Sequence, residues 1–368
     1  MDVVTLRRST TRLSGEQWFG VTILLVILVL GIDLVRRLVF GDLTVGTFWT
    51  LLWRGIVDGL IIGLAAIGLS MTYSILRFAN FSHGDLVTVG AFSGWTVAYV
   101  IGGIGLADLG SRVLLRADRG APPGALDMHI LGSPLAILVG MLAAGALTIV
   151  IALAIDRTVY KRMRLAGGIP LLIASIGVAF VVRYLIVFVF QDRRRGVTAS
   201  PPRVEHDLIF WTEAINPHQA TLVIAAVLLM VGLHLVLQYS KLGKAMRAMA
   251  DNRDLALVTG IPTERVITAT WVIGGGLTGI AGFLIVLDRG TLGFNLGWFL
   301  LLLIFAAVIL GGIGSIYGAI VGGLIIGLAT NVSMVWIPSD LTEATAFTLM
   351  ILILIFRPEG IFGGVETA

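Results

Sequence analysis

Apolar runs long enough to cross a bilayer recur from one end of this sequence to the other, and that recurrence limits the fold more than any motif does. They fall at approximately 17–38, 51–76, 86–105, 133–156, 170–190, 219–240, 263–287, 298–312, 317–332 and 344–357, judged against the roughly 20 residues that a helix needs to span hydrocarbon. The expectation is an all-α polytopic integral membrane protein with about ten transmembrane or partly re-entrant helices. Re-entrance is expected where segments are short and glycine-rich, as in "GGIGSIYGAIVGG" (311–323), because irregular backbone survives at membrane depth only against protein or a water-filled cavity. With 57% hydrophobic and 13% charged residues, the chain leaves no stretch for a soluble enzyme domain. The absence of cysteine excludes disulfides, thiol catalysis and Cys-ligated metals.

Charge sets an expected orientation. "RTVYKRMR" (157–164) carries four basic residues and no acid, whereas 39–50 holds only Asp42 and 333–343 only Asp340 and Glu343. The positive-inside rule puts 157–164, and with it both termini, in the cytoplasm. The mixed-charge loop 191–218, with Arg193, Arg194, Arg195 and Arg203, would then lie outside. The net charge of +4 reads as this loop asymmetry and not as a nucleic-acid surface. Arg7, Arg8 and Arg12 precede the first segment, and no small-residue cleavage site follows it, so that segment reads as a retained span.

Two polar interruptions stand out. The first is "RFANFSHGD" (77–85). Ser82 with Asp85 three residues on matches a capping box for a helix beginning near His83, and Asn80 is suited to closing the helix before it. Alternatively, Asn80, Phe81, Ser82, His83, Gly84 and Asp85 line and gate the inner mouth of a pathway, since broken helices expose backbone groups to solutes. The turn at Gly311, Gly312 and Gly314 also lies between two segments, forms a similar small-residue hairpin and is expected, with 77–85, to shape or gate the pathway.

The second interruption is "SKLGKAMRAMADNRDLALVTGIP" (240–262), too charged to span. Ser240 is placed to cap a helix and Gly260 with Pro262 to end it. Leu242, Ala245, Met246 and Met249 share one face, while Lys241, Lys244 and Arg247 share another. This predicts a short amphipathic helix on the cytoplasmic surface. An interfacial anchor is one reading; the small residues Ala245, Ala248, Ala250, Ala256 and Gly260, with Asn252, favour a surface against which another protein fits.

Charges within spans need partners. Asp33 lies within reach of Arg36 and Arg37, and Arg54 is four residues from Asp58, so each acid has a local cation. Arg183 has no acid nearby in sequence and needs a partner on another helix or a route to the interface. Paired acids of the kind a proton relay uses are not apparent.

"GKAMRAMADNRDLALVTGI" resembles the coupling-helix loop of ABC importer permeases, in particular the branched-chain amino acid permeases of the LivH/LivM type. "GLAAIGLSMTYSILRFANFSHGDLVTVGAF" (63–92), "FAAVILGGIGSIYGAIVGGLIIGLA" (305–329) and "FRPEGIFG" (356–363) are similar to other stretches of that family, in the same order. The resemblance implies an ABC importer permease fold over 51–363, with 1–50 an N-terminal tail and extra span, 240–262 the coupling loop and 364–368 a tail. It implies a chain of the prokaryotic plasma (inner) membrane, surrounded by its lipids and working with two cytoplasmic ABC ATPases, a second permease chain and an extracytoplasmic solute-binding protein. Gly243, Ala245, Arg247, Ala248, Ala250, Asn252, Ala256 and Gly260 would meet the ATPase.

ATP and Mg would belong to those partners, with no cofactor held here. The only Gly-Lys pair, Gly243 and Lys244, has Gln238 and Ala245 where a phosphate-binding loop needs glycine and a hydroxyl. The expected solute is a branched-chain or related amino acid, with urea or short amides as alternatives. An ion-coupled secondary transporter or a channel is the rival of another class.

Overall fold

The computed structural model describes residues 15–104, 126–201, 204–208 and 211–363. The chain divides into two compact units, 1–49 and 50–368. In the first, α1 (Gly15–Phe40) holds Asp33 between Arg36 at 2.8 Å and Arg37 at 2.7 Å, the local pairing that the spacing predicts. The basic residues before position 15, most of loop 106–132 and the 364–368 tail lie outside the described residues.

The remaining helices are α2 (Val45–Leu76), α3 (His83–Gly102), α4 (Pro134–Ile155), α5 (Gly168–Phe190), α6 (Pro217–Tyr239), α7 (Lys241–Asp251), α8 (Arg253–Val258), α9 (Thr263–Arg289), α10 (Leu296–Gly311), α11 (Ile316–Val332) and α12 (Thr342–Phe356). A π-helical turn at Asp156–Tyr160 carries α4 on to Met163. Among the described residues, eight helices are long and apolar enough to cross a membrane, and Leu296–Gly311 is a shorter apolar one. The protein is an all-α polytopic integral membrane protein, and each apolar run of the sequence lies on a helix.

In hydrocarbon the hydrophobic effect does not separate helix from lipid, so packing comes from close backbone approach. That is what the glycines provide at the centre, where α3, α4 and α9 meet. A Cβ on Gly90 of α3 would sit 2.3 Å from the Cα of Gly279 on α9. The buried α2, α3 and α9 are flanked by α4, α5 and α6, which expose side chains such as Leu135, Phe188 and Leu228, and α12, packed on α10 and α11, is the least buried of the long helices.

The short α10 is one continuous helix, below spanning length. Its 16 residues rise about 24 Å at 1.5 Å each, less than the ~30 Å of a hydrocarbon core. Its first turn packs at the depth of the first turns of α3: Gly297 N donates to Thr88 Oγ1 at 3.0 Å. The segment before it is held by a two-residue pairing, β1 (Arg195–Gly196) with Thr291–Leu292.

Two local expectations are corrected. The single amphipathic helix across 240–262 is two helices, because Asn252 Oδ1 accepts Leu255 N at 2.9 Å and starts α8 as a new helix. Loop 191–218 contains an antiparallel hairpin, Val204–Leu208 with Trp211–Ile215, which an all-helical reading does not anticipate.

Candidate functional site

The 77–85 break begins at Arg77, the residue that closes α2. Its backbone takes a left-handed φ of 57° while its N–H donates to Tyr73 O at 2.8 Å, a C-terminal cap usually given to glycine or asparagine. Asn80, expected to close that helix, faces forward instead. Its Oδ1 accepts Ser82 N at 3.1 Å and Ser82 Oγ at 2.7 Å, an Asx turn that re-aims the chain. Tyr160 Oη lies 2.8 Å from Ser82 Oγ and 3.2 Å from Asn80 Oδ1, and its ring stacks on Trp271. Phe81 N donates to Ser175 Oγ at 3.0 Å, and its ring meets Phe305.

The capping box does not form: Ser82 makes no side-chain cap bond to α3. Asp85 turns instead to Arg183 of α5, accepting Nε at 3.0 Å and Nη2 at 2.9 Å. A guanidinium inside the span needs its counter-charge more than a helix start needs one more acceptor. This gives Arg183 the partner on another helix that its sequence context calls for, and its Cζ also lies 4.3 Å from the centroid of the Trp298 ring, a cation–π contact. His83 Nε2 donates to Ala65 O at 2.9 Å. Gly84 packs so close to Gly297 that a Cβ would be 2.6 Å from its carbonyl oxygen.

Asn80, Ser82, His83 and Asp85 are therefore all buried, facing protein in this conformation. Within the cluster, Asn80 Nδ2 and Trp271 Nε1 have no hydrogen-bond partner among the described residues. Tyr160, Ser175, Trp271 and Trp298 complete the cluster and carry no local signal in the sequence; they arrive from the π-helical turn after α4, from α5, α9 and α10.

At the same end, a cavity of about 630 Å³ is lined by residues including Tyr73, Arg77, Met246, Asp251, Ser315 and Phe362. The Gly311–Gly314 turn forms one wall. Gly312 and Gly314 have φ of 108° and 89°, values that L side chains rarely adopt, and Gly311 packs against Gly318. The turn is tied to α2 by Ser70 Oγ donating to Ser315 O at 3.0 Å, and to the C-terminal stretch by Ile361 N to Leu310 O and Phe362 N to Gly311 O, each 2.9 Å.

The third side of this cavity is α7. Ser240 caps it as expected, accepting Gly243 N at 3.0 Å. Met246 and Met249 are buried, Gly243 packs on the Leu237 backbone and Ala256 of α8 is buried as well. Ala245, Arg247, Ala248 and Ala250 are half-buried, while Asn252 and Gly260 are exposed. The small residues at Gly243 and Ala256 thus let the two helices seat on the bundle. The outward face is different and was not singled out from the sequence: Leu255, Leu257 and Val258 of α8 are 59%, 60% and 79% exposed. Its signal was the Asn252 cap, which resets the helical phase and turns these three away from Ala256.

Two bonds connect this surface to the interior. Arg247 donates to Leu237 O at 2.6 Å. Arg77, at the break, donates to Ala250 O in the last turn of α7, where a cation also complements the helix dipole.

The chain matches the family model described as the permease component of the branched-chain amino acid transport system over residues 51–355. It is 29% identical over 318 residues, 86% of this chain and 95% of the relative, to the high-affinity branched-chain amino acid transport system permease protein LivH of Escherichia coli (strain K12). It is 28% identical over 320 residues to BraD of Pseudomonas aeruginosa, a permease protein of the same description, covering 84% of this chain and 95% of the relative. A probable LivH of Methanocaldococcus jannaschii is 33% identical over 144 residues, 37% of this chain and 45% of that one. No solved structure matches.

Proposed function

The chain belongs to the branched-chain amino acid transport permease family, and on that premise we propose that it is the membrane-spanning subunit of an ATP-driven importer of branched-chain or related amino acids. In this reading it forms half of a translocation pathway with a second permease chain in the plasma (inner) membrane. Two ABC ATPases dock on α7 and α8 from the cytoplasm, and a solute-binding protein delivers from the other side. The chain itself transports and does no chemistry.

The observation that carries this reading is the mechanical link between α8 and the break at 77–85. A partner seated on Leu255, Leu257 and Val258 pushes on α8. Asn252 joins α8 to α7, and Arg77 joins the last turn of α7 to the break between α2 and α3. Movement of α7 therefore bears on Arg77 and on the wall of the 630 Å³ cavity, whose opening and closing at this end is one half of alternating access. An anchor lying in the headgroups would need no bond from its last turn to a helix break inside the bundle.

Replacing Leu255 and Val258 by Asp tests this. Loss of co-purifying ATPase with unchanged membrane abundance is expected, together with loss of leucine uptake in reconstituted vesicles. Full ATPase retention in that variant refutes docking at α8. Uptake of urea with no uptake of leucine by the intact complex would keep the permease and replace its substrate.

A further inference from the structure

Far from the coupling surface, a second cavity of about 320 Å³ is lined almost wholly by polar groups. Asp58 lies on α2 about 19 residues before Arg77, roughly 28 Å away along the helix at 1.5 Å per residue. The cavity is therefore about a bilayer's thickness from the α7 end. It sits among α2, α6, α9 and α11, and its volume falls in the range of small-ligand pockets.

Four of its groups are charged, two of each sign: Arg54 and Arg289, Asp58 and Asp288. The local pairing of Arg54 with Asp58 that the i, i+4 spacing predicts does not occur, since no ion pair joins them. Asp58 Oδ2 instead accepts Asn331 Nδ2 at 2.9 Å. Asp288 Oδ1 accepts Gln219 Nε2 at 3.0 Å, and Gln219 Oε1 is fixed in turn by Trp53 Nε1 at 2.8 Å. The carboxylates are thus held by neutral amides, each with an oxygen left over. Among the described residues, neither Arg54 nor Arg289 has a hydrogen-bond or ion-pair partner.

We propose that this cavity is a transit site for the zwitterionic head of an α-amino acid, with Arg54 and Arg289 toward its carboxylate and Asp58 and Asp288 toward its ammonium. The chemistry matches group by group. A guanidinium offers paired donors in the spacing of a carboxylate, and an ammonium has three donors for the free carboxylate oxygens. The four charges sum to zero, so a net-neutral head leaves none unpaired, whereas a fatty acid or an alkylamine leaves one. The lining has little apolar surface to grip a side chain, so the site selects amino acids as a class and not one of them. The proposal rests on the amino-acid reading given above and adds to it where on this chain the solute is held.

Saturation-transfer NMR on the intact permease–ATPase complex in nanodiscs, without binding protein, tests it with three probes: L-leucine, 4-methylpentanoate and 3-methylbutylamine. Leucine should bind, and each analogue, lacking one charge, should bind at least about tenfold more weakly. The paired variants Arg54→Gln/Arg289→Gln and Asp58→Asn/Asp288→Asn should each weaken leucine by about tenfold or more. Asp288→Asn alone keeps an oxygen for Gln219, so its effect separates binding from folding, and the amount of ATPase that co-purifies with each variant reports whether its complex has assembled. Unchanged leucine affinity in the paired variants overturns the site, as does a wild-type complex with no leucine signal at about 10 mM. A variant that keeps the leucine signal but needs more binding protein to stimulate ATP hydrolysis assigns the pocket to docking and also overturns it. Failure of the permease reading would look different, since the wild type would then carry no ATPase at all.

Discussion

Removing one member of the Asp85–Arg183 pair should cost far more than removing both. The pair is joined by two charge-assisted hydrogen bonds of 3.0 and 2.9 Å between groups that are 0% and 7% exposed. Asp85→Asn keeps one acceptor oxygen and loses one charge-assisted bond, about 1.5–3 kcal/mol, and it leaves a buried guanidinium without its counter-charge, so the total should approach the ~3–5 kcal/mol found when a buried pair is broken. Most of that is the penalty of a guanidinium left in the membrane interior with the Trp298 and Phe180 rings beside it and no counter-charge. Arg183→Met alone strands a carboxylate in the same way. In the double variant Asp85→Asn/Arg183→Met neither charge remains, and stability should return to within about 1–2 kcal/mol of the wild type. Thermal unfolding of the purified complex across these four forms gives a double-mutant cycle, and a coupling of at least about 2 kcal/mol is expected. Additive effects, with coupling below about 0.5 kcal/mol, would refute the reasoning and leave the pair a bystander to the helix break.

Three other outcomes are expected. Gly90→Val should disrupt the α3–α9 contact, because even a Cβ would lie 2.3 Å from Gly279 backbone atoms, whereas Gly177→Ala, with nothing within 4 Å, should be close to neutral; abundance after detergent extraction reports the difference. Tyr160→Phe removes the hydroxyl shared by Ser82 and Asn80, which should destabilise by about 1–3 kcal/mol in thermal unfolding, while equal melting would detach Tyr160 from the break. Ser240→Ala removes the cap of α7, worth about 1 kcal/mol, and should speed amide hydrogen exchange at Gly243 and Lys244 while leaving α9 unchanged.

The spanning helices were legible because length and apolarity are local properties of a sequence. So was the Ser240 cap, whose partner is three residues away. Arg183 shows where legibility ends. Its need for a partner follows from burial in a span, but the partner lies 98 residues away, and the Ser82–Asp85 spacing offered Asp85 a local role that the distant cation overrides. The same competition separates Arg54 from Asp58, where Asn331 arrives from another helix. At 240–262 the small residues read as a surface for another protein include Gly243 and Ala256, which face the bundle; which side of a short helix is outward depends on where the Asn252 cap restarts it. Tyr160 and Trp271 carry no local signal, and only the fold brings Tyr160 to Asn80 with Trp271 stacked behind it.

The two backbone bonds from Ile361 and Phe362 to Leu310 and Gly311 also set an order of events during synthesis. Helices α10 and α11 are synthesised before the residues that hold the turn between them exist. About 51 residues separate Leu310 from Ile361, and at roughly 5–20 residues per second that interval lasts about 3–10 seconds. Until it ends, two turn carbonyls wait for their donors, and the hairpin is completed only by the last part of the described chain to be made. Completion of this wall of the cavity is therefore a late step in biogenesis, and a chain ending before residue 361 would lack both donors and leave this turn open.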